Sequence, residues 1–428
     1  MEFSQYLKIF DYEKDSDMLL LYSTKQTSLI LIPKETFSEI EKGEISSENE
    51  ALLISLGMVV PDRNEEKELM LGFFDNLNDN NTGLHILTAL NLDCNFSCTY
   101  CYEEGLKGKY YMSDETAERL IDFIKEKFSL NKKHIRIDFH GGEPLLSLSL
   151  IQHISEDLKA FAEQRGASYE FTVTTNGSLF TRKTAQSIAH LGMKSVKVTL
   201  DGPAFIHNKS RPFKSGCGSF DTIIKNLQEI CDITEINIGG NYDRNNYEKF
   251  ILLFDEIEKA GLTPDKIGMV KFDPVIKHSH NESGWESVSE PWIINAEKLL
   301  REEVLKRGYA FSKLKPIPCM VEFADSFVVN YDGSIYKCPI FIGKKGFSCG
   351  DIYSGISGNI KAYKPSYWKE NRECHECVYL PLCFGGCRFF AYMKDSDISH
   401  VSCKKKYFDN SLEIMIKQEL KYARHSSY

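Results

Sequence analysis

The sequence predicts an α/β protein: a partial, TIM-like (β/α)6 barrel, flanked by a small N-terminal module and a cysteine-rich C-terminal region. Three observations carry this prediction. Apolar strand-like runs alternate with amphipathic helix-like segments from about residue 84 to residue 275; short strands and two helices precede them; and the cysteines concentrate in one short array and in the last 113 residues. A chain of 428 residues is long enough for two to three domains.

Composition places the chain among ordinary soluble globular proteins, with 42% hydrophobic and 26% charged residues. The apolar stretches are shorter than a membrane span, and the first residues lack the layout of a signal peptide, so we expect a cytoplasmic protein with no membrane partner. In a reducing compartment, thirteen cysteines indicate metal binding or catalysis rather than disulfides.

The formal charge of −9 is unevenly distributed. Residues 1–80 hold 17 Asp and Glu against 7 Lys and Arg, a net of −10, which leaves the rest of the chain at +1. This acidic segment argues against nucleic acid as a partner. A basic partner and a merely solvated acidic surface both remain open.

The N-terminal residues 1–80 are predicted to form a separate winged-helix-like module. Strand-like runs at 8–10, 18–22 and 28–32 precede helices from about Pro33 and from Ser46 to Leu56, and residues 58–60 return as a strand. The stretch PDRNEEKELM and the helix after it are interpreted as a linker.

Six strands and five helices alternate in the predicted barrel, residues 81–280. The strands are expected at 85–92, 134–141, 169–177, 195–202, 235–240 and 267–275, and the helices from Ser113 and at about 148–165, 181–191, 219–231 and 246–260. Such alternation predicts a parallel sheet with crossover helices, open because a closed barrel needs eight repeats. A helical bridge at 281–315 and a loop-rich region at 316–428, with a last helix from about Tyr407 to Arg424, complete the chain.

The array CNFSCTYC places Cys94, Cys98 and Cys101 in a C-x3-C-x2-C spacing directly after the first predicted barrel strand. Zinc is one interpretation, but the usual paired C-x2-C arrangement is missing and no histidine follows closely to give four ligands. Three thiolates can instead hold a four-iron cluster and leave one iron open.

With the aromatic Tyr100 before the last cysteine, this array resembles the signature of radical S-adenosylmethionine (SAM) enzymes. Further motifs at the next strand ends resemble the family's SAM-binding elements. They are Gly141-Gly142-Glu143-Pro144, then Thr175 and Asn176 in TTNG, then Asp201 in LDG, with Arg211 and Asn241 as additional candidates. The resemblance implies that SAM completes a [4Fe–4S] cluster and is cleaved reductively to a 5′-deoxyadenosyl radical, which abstracts hydrogen from a substrate.

The C-terminal cysteines resemble a SPASM domain, the extension of peptide maturases that carries two auxiliary iron–sulfur clusters, expected as [4Fe–4S]. Their frame runs from Cys319 through Gly333 to Cys338, then C-x2-C-x5-C-x3-C, then a last cysteine after fifteen residues. The resemblance assigns one group to a distal cluster: Cys374, Cys377, Cys383 and Cys403. It assigns a second group to a nearer cluster: Cys319, Cys338 and Cys387.

Two departures from the family pattern bear on function. Some relatives supply an eighth cysteine at the position of Lys313, so the nearer cluster either has an open iron or takes a ligand such as Cys349. In anaerobic sulfatase maturases an aspartate follows the second SPASM cysteine, whereas Pro339 stands here, which argues against that activity. Of the remaining cysteines, Cys231 is expected to be buried and Cys217 incidental.

Stretches spread over almost the whole chain resemble the sequences of geopeptide-type maturases: KGKYYMSDETAERLIDFI, RPFKSGCGSFDTI, VVNYDGSIYKCP and YLPLCFGGCR. Those enzymes are near the thioether-forming group that modifies ribosomally made (RiPP) peptides. The resemblance implies a cysteine-containing precursor peptide whose leader adds a strand to the N-terminal module, and a flavodoxin-like or ferredoxin-like electron donor. The expected reaction abstracts hydrogen from a Cα or Cβ and links that carbon to a cysteine sulfur. Alternatives are a C–C or C–O crosslink, epimerisation or another oxidation, and an iron–sulfur redox protein without SAM chemistry.

Overall fold

The computed structural model describes residues 1–275, 288–364 and 366–422. Two compact units are each assembled from separated segments of the chain. The first comprises Met1–Asn80, Lys313–Phe323 and Lys364–Glu413, and the second comprises Asn81–Ser312, Ala324–Tyr363 and Ile414–Tyr428. The sequence-based division into four consecutive segments remains a prediction.

The N-terminal part of the first unit contains the predicted strands and helices in the predicted order, together with one further strand and one further helix. The elements are β1 (Glu2–Phe3), β2 (Leu7–Asp11), β3 (Met18–Ser23), β4 (Leu29–Pro33), α1 (Lys34–Lys42), α2 (Ser47–Ser55), β5 (Val59–Val60), α3 (Arg63–Leu71) and α4 (Phe73–Asp79). The sequence did not predict the first strand, β1, or the helix α3. β2, β3 and β4 form an antiparallel sheet with β3 at its centre, and the returning strand β5 pairs with β1. The winged-helix assignment of this module remains a prediction.

The interpretation of residues 61–80 as a linker is wrong, because these residues form α3 and α4 and contribute to a core. Met70 and Phe74 are buried in an aromatic cluster with Tyr6, Trp368 and Phe384. The Phe74 ring meets the Phe384 ring at 4.7 Å and the Trp368 ring at 5.8 Å. The charges in PDRNEEKELM suggested a solvated linker, but its apolar residues lie at helical spacing and find their partners about 300 positions further along the chain.

The second unit is built on an eight-stranded, mostly parallel sheet. Its strands are β6 (Gly83–Ala89), β7 (His134–His140), β8 (Ser168–Thr175), β9 (Met193–Thr199), β10 (Glu235–Tyr242), β11 (Ile267–Pro274), β12 (Ser326–Val329) and β13 (Ile335–Tyr336). The order is β11-β10-β9-β8-β7-β6-β12-β13, so the six predicted strands are neighbours in chain order, all parallel. The predicted parallel α/β sheet is therefore confirmed, and β12 extends it in parallel beside β6.

Helices connect these strands. They are α5 (Asp114–Lys127), α6 (Leu148–Gln164), α7 (Arg182–Ala189), α8 (Ala204–Ser210), α9 (Phe220–Ile230), α10 (Leu252–Lys259) and α11 (Pro291–Lys306). The predicted start at Ser113 is confirmed, because its side chain caps α5 by accepting from Thr116 N. The sequence did not predict α8, and the helix expected at 246–260 begins only at Leu252, after a short 3-10 turn.

The two faces of the six-strand region differ in chemistry. Alternate residues such as Ile135, Ile137 and Phe139 on β7 are buried and apolar, whereas the residues between them are polar and partly exposed. The apolar face provides the core of the second unit.

The C-terminal elements are short apart from the last helix. They are β14 (Gly350–Asp351), β15 (Gly355–Ile356), α12 (Arg372–His375), α13 (Leu380–Cys383), α14 (Arg388–Asp395) and α15 (Lys405–Tyr422). The start of the predicted bridge (281–287) and the last two residues of the predicted final helix lie outside the described residues. Among the described helices, none combines the length and the apolar character that crossing a membrane requires.

Candidate functional site

The first cysteine array lies in the loop that follows β6, at the carboxyl end of the parallel sheet. Cys94 is buried and Cys98 and Cys101 are half-buried. The sulfur of Cys94 accepts from Phe96 N at 3.4 Å and lies 3.8 Å from Asn176 Nδ2. Burial raises the pKa of the Cys94 thiol to about 11. Burial also raises the pKa of Cys98, while the Arg211 guanidinium opposes that shift.

The GGEP loop follows β7 and packs against the backbone that leads into the cysteine array. Gly142 N donates to Asn91 O at 3.0 Å, and Glu143 N donates to Asp93 O at 2.8 Å. A Cβ on Gly142 would lie 2.1 Å from Asp93 O, so only glycine fits there. The sequence-based explanation, close approach to a ligand, is therefore incomplete: these glycines are required by the neighbouring protein backbone.

The carboxylate of Glu143 is fully buried and joins the second and third strand ends. It accepts from Thr175 Oγ1 at 2.7 Å, from Asn176 N at 2.8 Å and from Leu145 N at 3.1 Å. Burial raises the pKa of Glu143, and these donors oppose the increase. Pro144 begins a 3-10 turn directly after Glu143, which orients this carboxylate towards the β8 loop.

Four predicted residues from separate loops meet around one hydroxyl group. Tyr100 donates to Asp201, and its hydroxyl accepts from Arg211 Nη1 at 2.8 Å and from Asn241 Nδ2 at 3.2 Å. Asp201 Oδ1 also accepts from Asn241 N at 2.8 Å. The network connects the cysteine loop to the ends of β9 and β10 and to the segment after α8.

Sequence reasoning missed the residues that support this network. Asp201 N donates to His207 Nδ1 at 3.1 Å, and the other ring nitrogen lies 3.0 Å from Ser219 Oγ, which donates to Arg211 O at 2.6 Å. His207 is completely buried, and that burial lowers its pKa to about 3. His207 could not be identified from the sequence, because it lies in a predicted loop and belongs to no motif or periodic pattern.

Lys107 is a second residue that the sequence did not indicate. Its ammonium contacts Cys101; partial burial would lower the pKa of this lysine, but Cys101, Cys98 and Cys94 raise it. A cation beside three thiols fits a site in which the thiols are ionised.

The residues present fit an iron–sulfur cluster with a small zwitterionic ligand. Thiolates hold such clusters, and N–H donors to the sulfurs, as at Cys94, are typical of them. Among the described residues, the buried Nε of Arg211 and Oδ1 of Asn91 have no hydrogen-bond partner. A buried donor on a guanidinium suits a carboxylate, and a buried carbonyl suits an ammonium. The assignment of SAM contacts to these residues remains a proposal.

The four cysteines predicted for a distal cluster lie together in the first unit. Burial raises the pKa of Cys374 to about 12, and Cys383, Cys377 and Cys403 add to this increase. Burial raises the pKa of Cys377 and of Cys383 as well, and each is also affected by the neighbouring thiols. Cys383 accepts backbone hydrogen bonds from Lys404 and Gly385.

Gly386 holds two of these cysteine loops together. Its φ of +86° is left-handed, and a Cβ there would lie 1.9 Å from Ser402 O, directly before Cys403. Ser402 N donates to Gly385 O at 2.8 Å. The two glycines therefore allow the Cys383 loop to approach the Cys403 loop closely.

The other predicted ligands fall in both units. Cys319 and Cys387 belong to the first. Cys319 is exposed at the surface, yet the protein around its thiol desolvates it and raises its pKa, and Cys387 adds to that shift. Cys338 and Cys349 belong to the second and are both buried, and burial raises the pKa of Cys349 to about 11. The assignment of Cys319, Cys338 and Cys387 to one cluster remains a prediction from the resemblance, and Lys313 is exposed.

Cysteines outside the two sets differ in exposure. Cys217 is exposed, and Cys231 is half-buried rather than buried as predicted, because it lies just beyond the end of α9. Within the described ranges, no three His, Cys, Asp or Glu side chains are placed so that they could hold a single metal ion.

Comparison with known proteins agrees with this site. Residues 91–257 match the family model of the radical SAM superfamily. A cysteine-type anaerobic sulfatase-maturating enzyme of Clostridium perfringens is 23% identical over 76% of this chain and 94% of its own length. The chain therefore contains a radical SAM domain, a class that uses a [4Fe–4S] cluster and SAM, and it has homology to anaerobic sulfatase-maturating enzymes.

Two solved structures share the fold at low identity. Native anSMEcpe with bound AdoMet and Cp18Cys peptide has a TM-score of 0.62 at 19% identity, covering 79% of this chain and 97% of its own. Streptococcus suis SuiB bound to precursor peptide SuiA has a TM-score of 0.53 at 14% identity, covering 94% of this chain and 99% of its own.

Proposed function

We propose that this protein is a radical SAM peptide maturase that links a carbon of a ribosomally made precursor peptide to a cysteine sulfur. The observation that carries the proposal is the convergence of the cysteine loop and three further motif loops on Tyr100, within a domain that matches the radical SAM family. Asp201, Arg211 and Asn241 are candidates from the family resemblance, and in this fold all three bond the same hydroxyl group.

Within this proposal, Cys94, Cys98 and Cys101 hold the cluster, which with SAM supplies one-electron cleavage to a 5′-deoxyadenosyl radical. Arg211 pairs with the SAM carboxylate, and its guanidinium is held in place by Tyr100. Glu143 receives the SAM ammonium at the acceptor positions that Thr175 and Asn176 leave available. His207 keeps the Asp201 loop in place without adding charge, because burial holds its pKa at about 3.

A peptide substrate is supported by both solved structures, since anSMEcpe and SuiB are described with bound peptides. In the N-terminal sheet, β2 and β4 are the edge strands. β2 carries Lys8 and Asp11, and charges on an edge oppose further pairing, whereas β4 reads LILIP. We therefore assign leader binding to the edge of β4, where an extended peptide would add a fourth strand.

The charge of the module favours a basic leader. Residues 1–80 have a net charge of −10, and α1, directly after β4, carries Glu35, Glu39 and Glu41. A leader with Lys or Arg on either side of an apolar strand would complement both the charge and the apolar edge.

The proposed product is a thioether. Its formation removes one hydrogen from carbon and one from the cysteine thiol and forms one C–S bond, a two-electron oxidation of the peptide. The carbon hydrogen would leave to the SAM-derived radical and the thiol proton to solvent, and the auxiliary clusters would supply an acceptor for the remaining electron. Cys374, Cys377, Cys383 and Cys403 are the proposed ligands of the distal one.

The experiment is anaerobic reconstitution with iron, sulfide, a low-potential reductant and SAM. In parallel, the protein is co-expressed with candidate short cysteine-containing peptides, which are to be sought in the neighbouring reading frames. We expect 5′-deoxyadenosine and a loss of two hydrogens per thioether by mass spectrometry. A peptide of unchanged mass with inverted residues indicates epimerisation and contradicts the thioether. Absence of 5′-deoxyadenosine with and without peptide contradicts the radical reaction itself.

Deletion of residues 1–80 is a poor test of leader binding, because it removes Tyr6, Met70 and Phe74 from the core of the first unit. Leu31→Lys on β4 is sharper, since its neighbours Ile30 and Ile32 face the core while Leu31 is only half-buried. We expect at least about tenfold weaker binding of the full precursor and unchanged binding of the leaderless core peptide. Ile9→Lys on β2 is the matched control, and equal weakening by both variants would contradict the assignment to β4.

Sulfatase maturation is the second candidate, favoured by the homology to the Clostridium perfringens enzyme. It is disfavoured by Pro339, which begins a 3-10 turn after Cys338 in place of a carboxylate. Incubation with the Cp18Cys peptide separates the two: conversion of its cysteine to an aldehyde would support sulfatase maturation and contradict the thioether proposal.

A further inference from the structure

The polar face of the central sheet contains a cation that the site described above does not use. In a closed (β/α)8 barrel the inner face is filled by branched apolar side chains. Here the face opposite the apolar core carries ionisable residues on five strands: His85, Arg136, Asp138, His140, Glu170, Lys197, Lys271 and Asp273. Buried charges are costly unless paired, so each of these residues requires a partner or water.

Most of these groups are paired with each other. Asp138 accepts from Thr172 Oγ1 at 2.6 Å and from Arg136 Nε at 3.2 Å, and it lies 2.7 Å from His85 Nε2. Glu170 forms an ion pair with Lys194 at 3.0 Å. Lys271 forms an ion pair with Asp273 at 3.0 Å.

Lys197 is the exception. Within the described residues its ammonium makes no ion pair within 4.0 Å, although the side chain lies along the sheet. A Cβ on Gly239 would be 2.8 Å from Lys197 Cε and 3.7 Å from its Nζ, so the missing side chain of Gly239 provides the space that this lysine occupies.

Lys197 is exposed to solvent at the surface of this polar face. The neighbouring protein nevertheless desolvates its ammonium and lowers its pKa; Asp273 opposes this shift and Lys271 adds to it. His140 adds no charge at neutral pH, because burial lowers its pKa to about 4.

The position of Lys197 relative to the cysteine loop follows from strand register. Gly239 is paired with Lys271, and Asn241 with Asp273, on the same face of neighbouring strands. Asn241 contacts Tyr100 of the cysteine array. Since alternate residues on a strand are about 6.6 Å apart, Lys271 lies one side-chain layer below the residue that contacts the array. Lys197 is paired with Asn237, one layer further down, and its side chain extends into the layer of Gly239.

We propose that Lys197, with Lys271 and Asp273 beside it, is a binding site for a carboxylate of the substrate. The Lys271–Asp273 pair is neutral, so Lys197 leaves one positive charge that a single carboxylate neutralises. Identification of that carboxylate as an acidic side chain of a peptide rests on the proposed function. The site would hold such a residue one layer away from the cysteine loop and so determine which neighbouring carbon faces it.

The first test measures protection of individual lysines and needs no precursor. The reconstituted full-length protein with SAM is acetylated by an N-hydroxysuccinimide ester, and peptide mass spectrometry reads the rates at Lys197 and Lys194. At a concentration four times its Kd, acetyl-Gly-Asp-Gly-amide is expected to slow acetylation of Lys197 about fivefold. Acetyl-Gly-Asn-Gly-amide is expected to have no effect, and Lys194, on the same strand and already paired with Glu170, is the internal control. The proposal is overturned if the two peptides protect Lys197 equally. It is also overturned if neither peptide slows acetylation of Lys197 at the highest concentration that dissolves.

The second test uses the modified precursor. Lys197→Met is expected to lower kcat/KM about 10- to 100-fold. Replacing one acidic residue of the core peptide by its amide should have the same effect, and combining the two changes should cause no further loss. Lys197→Arg should restore part of the activity, and Lys194→Met should leave it unchanged. If the losses from Lys197→Met and from the amide substitution multiply when the two changes are combined, the proposed site is wrong. A protected Lys197 in a protein that modifies no peptide would instead refute the proposed function and leave the anion site standing.

Discussion

Arg388 and Glu322 form a buried bidentate ion pair, with Nε–Oε1 at 2.7 Å and Nη2–Oε2 at 2.9 Å. The two residues are 66 positions apart, and Arg388 directly follows Cys387 while Glu322 lies three residues after Cys319. Arg388 also donates to Lys364 O at 2.7 Å and stacks 4.0 Å from the Tyr367 ring. The pair therefore fixes, within the first unit, the two segments that carry Cys319 and Cys387.

Removing one partner of this pair is expected to be costly. Arg388→Met leaves Glu322 buried without its counter-charge, which should reduce the free energy of unfolding by about 3–5 kcal/mol. Urea unfolding of the reconstituted protein measures this change. Arg182→Met at the exposed Arg182–Asp232 pair is the control and should leave the free energy of unfolding nearly unchanged. A loss as small as that of the control would mean that the pair does not fix the two segments.

The ligand assignments predict distinct iron contents. Three [4Fe–4S] clusters hold about twelve irons per chain, and simultaneous Cys94→Ala, Cys98→Ala and Cys101→Ala should remove about four. Cleavage of SAM should stop, because the open iron is lost. Cys217→Ala, which removes an exposed thiol, should retain both iron and activity. Unchanged iron in the triple variant would contradict the assignment of the array.

Gly386→Ala is expected to damage the distal cysteine set selectively. The added Cβ would lie 1.9 Å from Ser402 O at a residue with φ of +86°, so the Cys383 and Cys403 loops must separate. We expect a loss of about 2–3 kcal/mol in unfolding free energy and of about four irons. Gly358→Ala, where nothing lies within 4 Å, should change neither quantity. Full iron content in the Gly386 variant would mean that these loops do not hold a common cluster.

Because His207 is buried, the free energy of unfolding is expected to decrease in acid. Burial lowers its folded pKa to about 3, whereas an unfolded histidine has a pKa of about 6.5, so below that pH the unfolded chain binds a proton that the folded chain excludes. Its contribution to stability is present above about pH 6.5 and falls by about 1.4 kcal/mol per pH unit as the pH decreases towards the folded pKa.

His207→Gln tests this dependence, because glutamine retains polar atoms for Ser219 and does not titrate. The slope of unfolding free energy between about pH 6.5 and pH 4.5 should become shallower by about 1.4 kcal/mol per pH unit. His190→Gln, at an exposed position, should leave the slope unchanged. An identical slope in wild type and His207→Gln would show that His207 is protonated in the folded state.

The barrel strands and the first site were predictable from the sequence for local reasons. Each strand is a short apolar run between turn residues, and each motif lies where a parallel strand ends, which brings Cys94, Glu143, Asn176 and Asp201 to one edge of the sheet. The resemblance to the SPASM pattern also grouped the distal cysteines, Cys374, Cys377, Cys383 and Cys403.

The remaining features depend on partners that are distant in sequence, and only the tertiary structure decided them. Residues 61–80 looked like a linker until Phe74 was placed against Phe384 and Trp368, and β12 joined a sheet begun some 240 residues earlier. His207, Arg388 and Lys197 have no local signature, because their roles come from what surrounds them. Periodicity and motif spacing report how a segment contacts its own neighbours. Burial, ion pairing and the polar face of the sheet arise only when separate segments pack together.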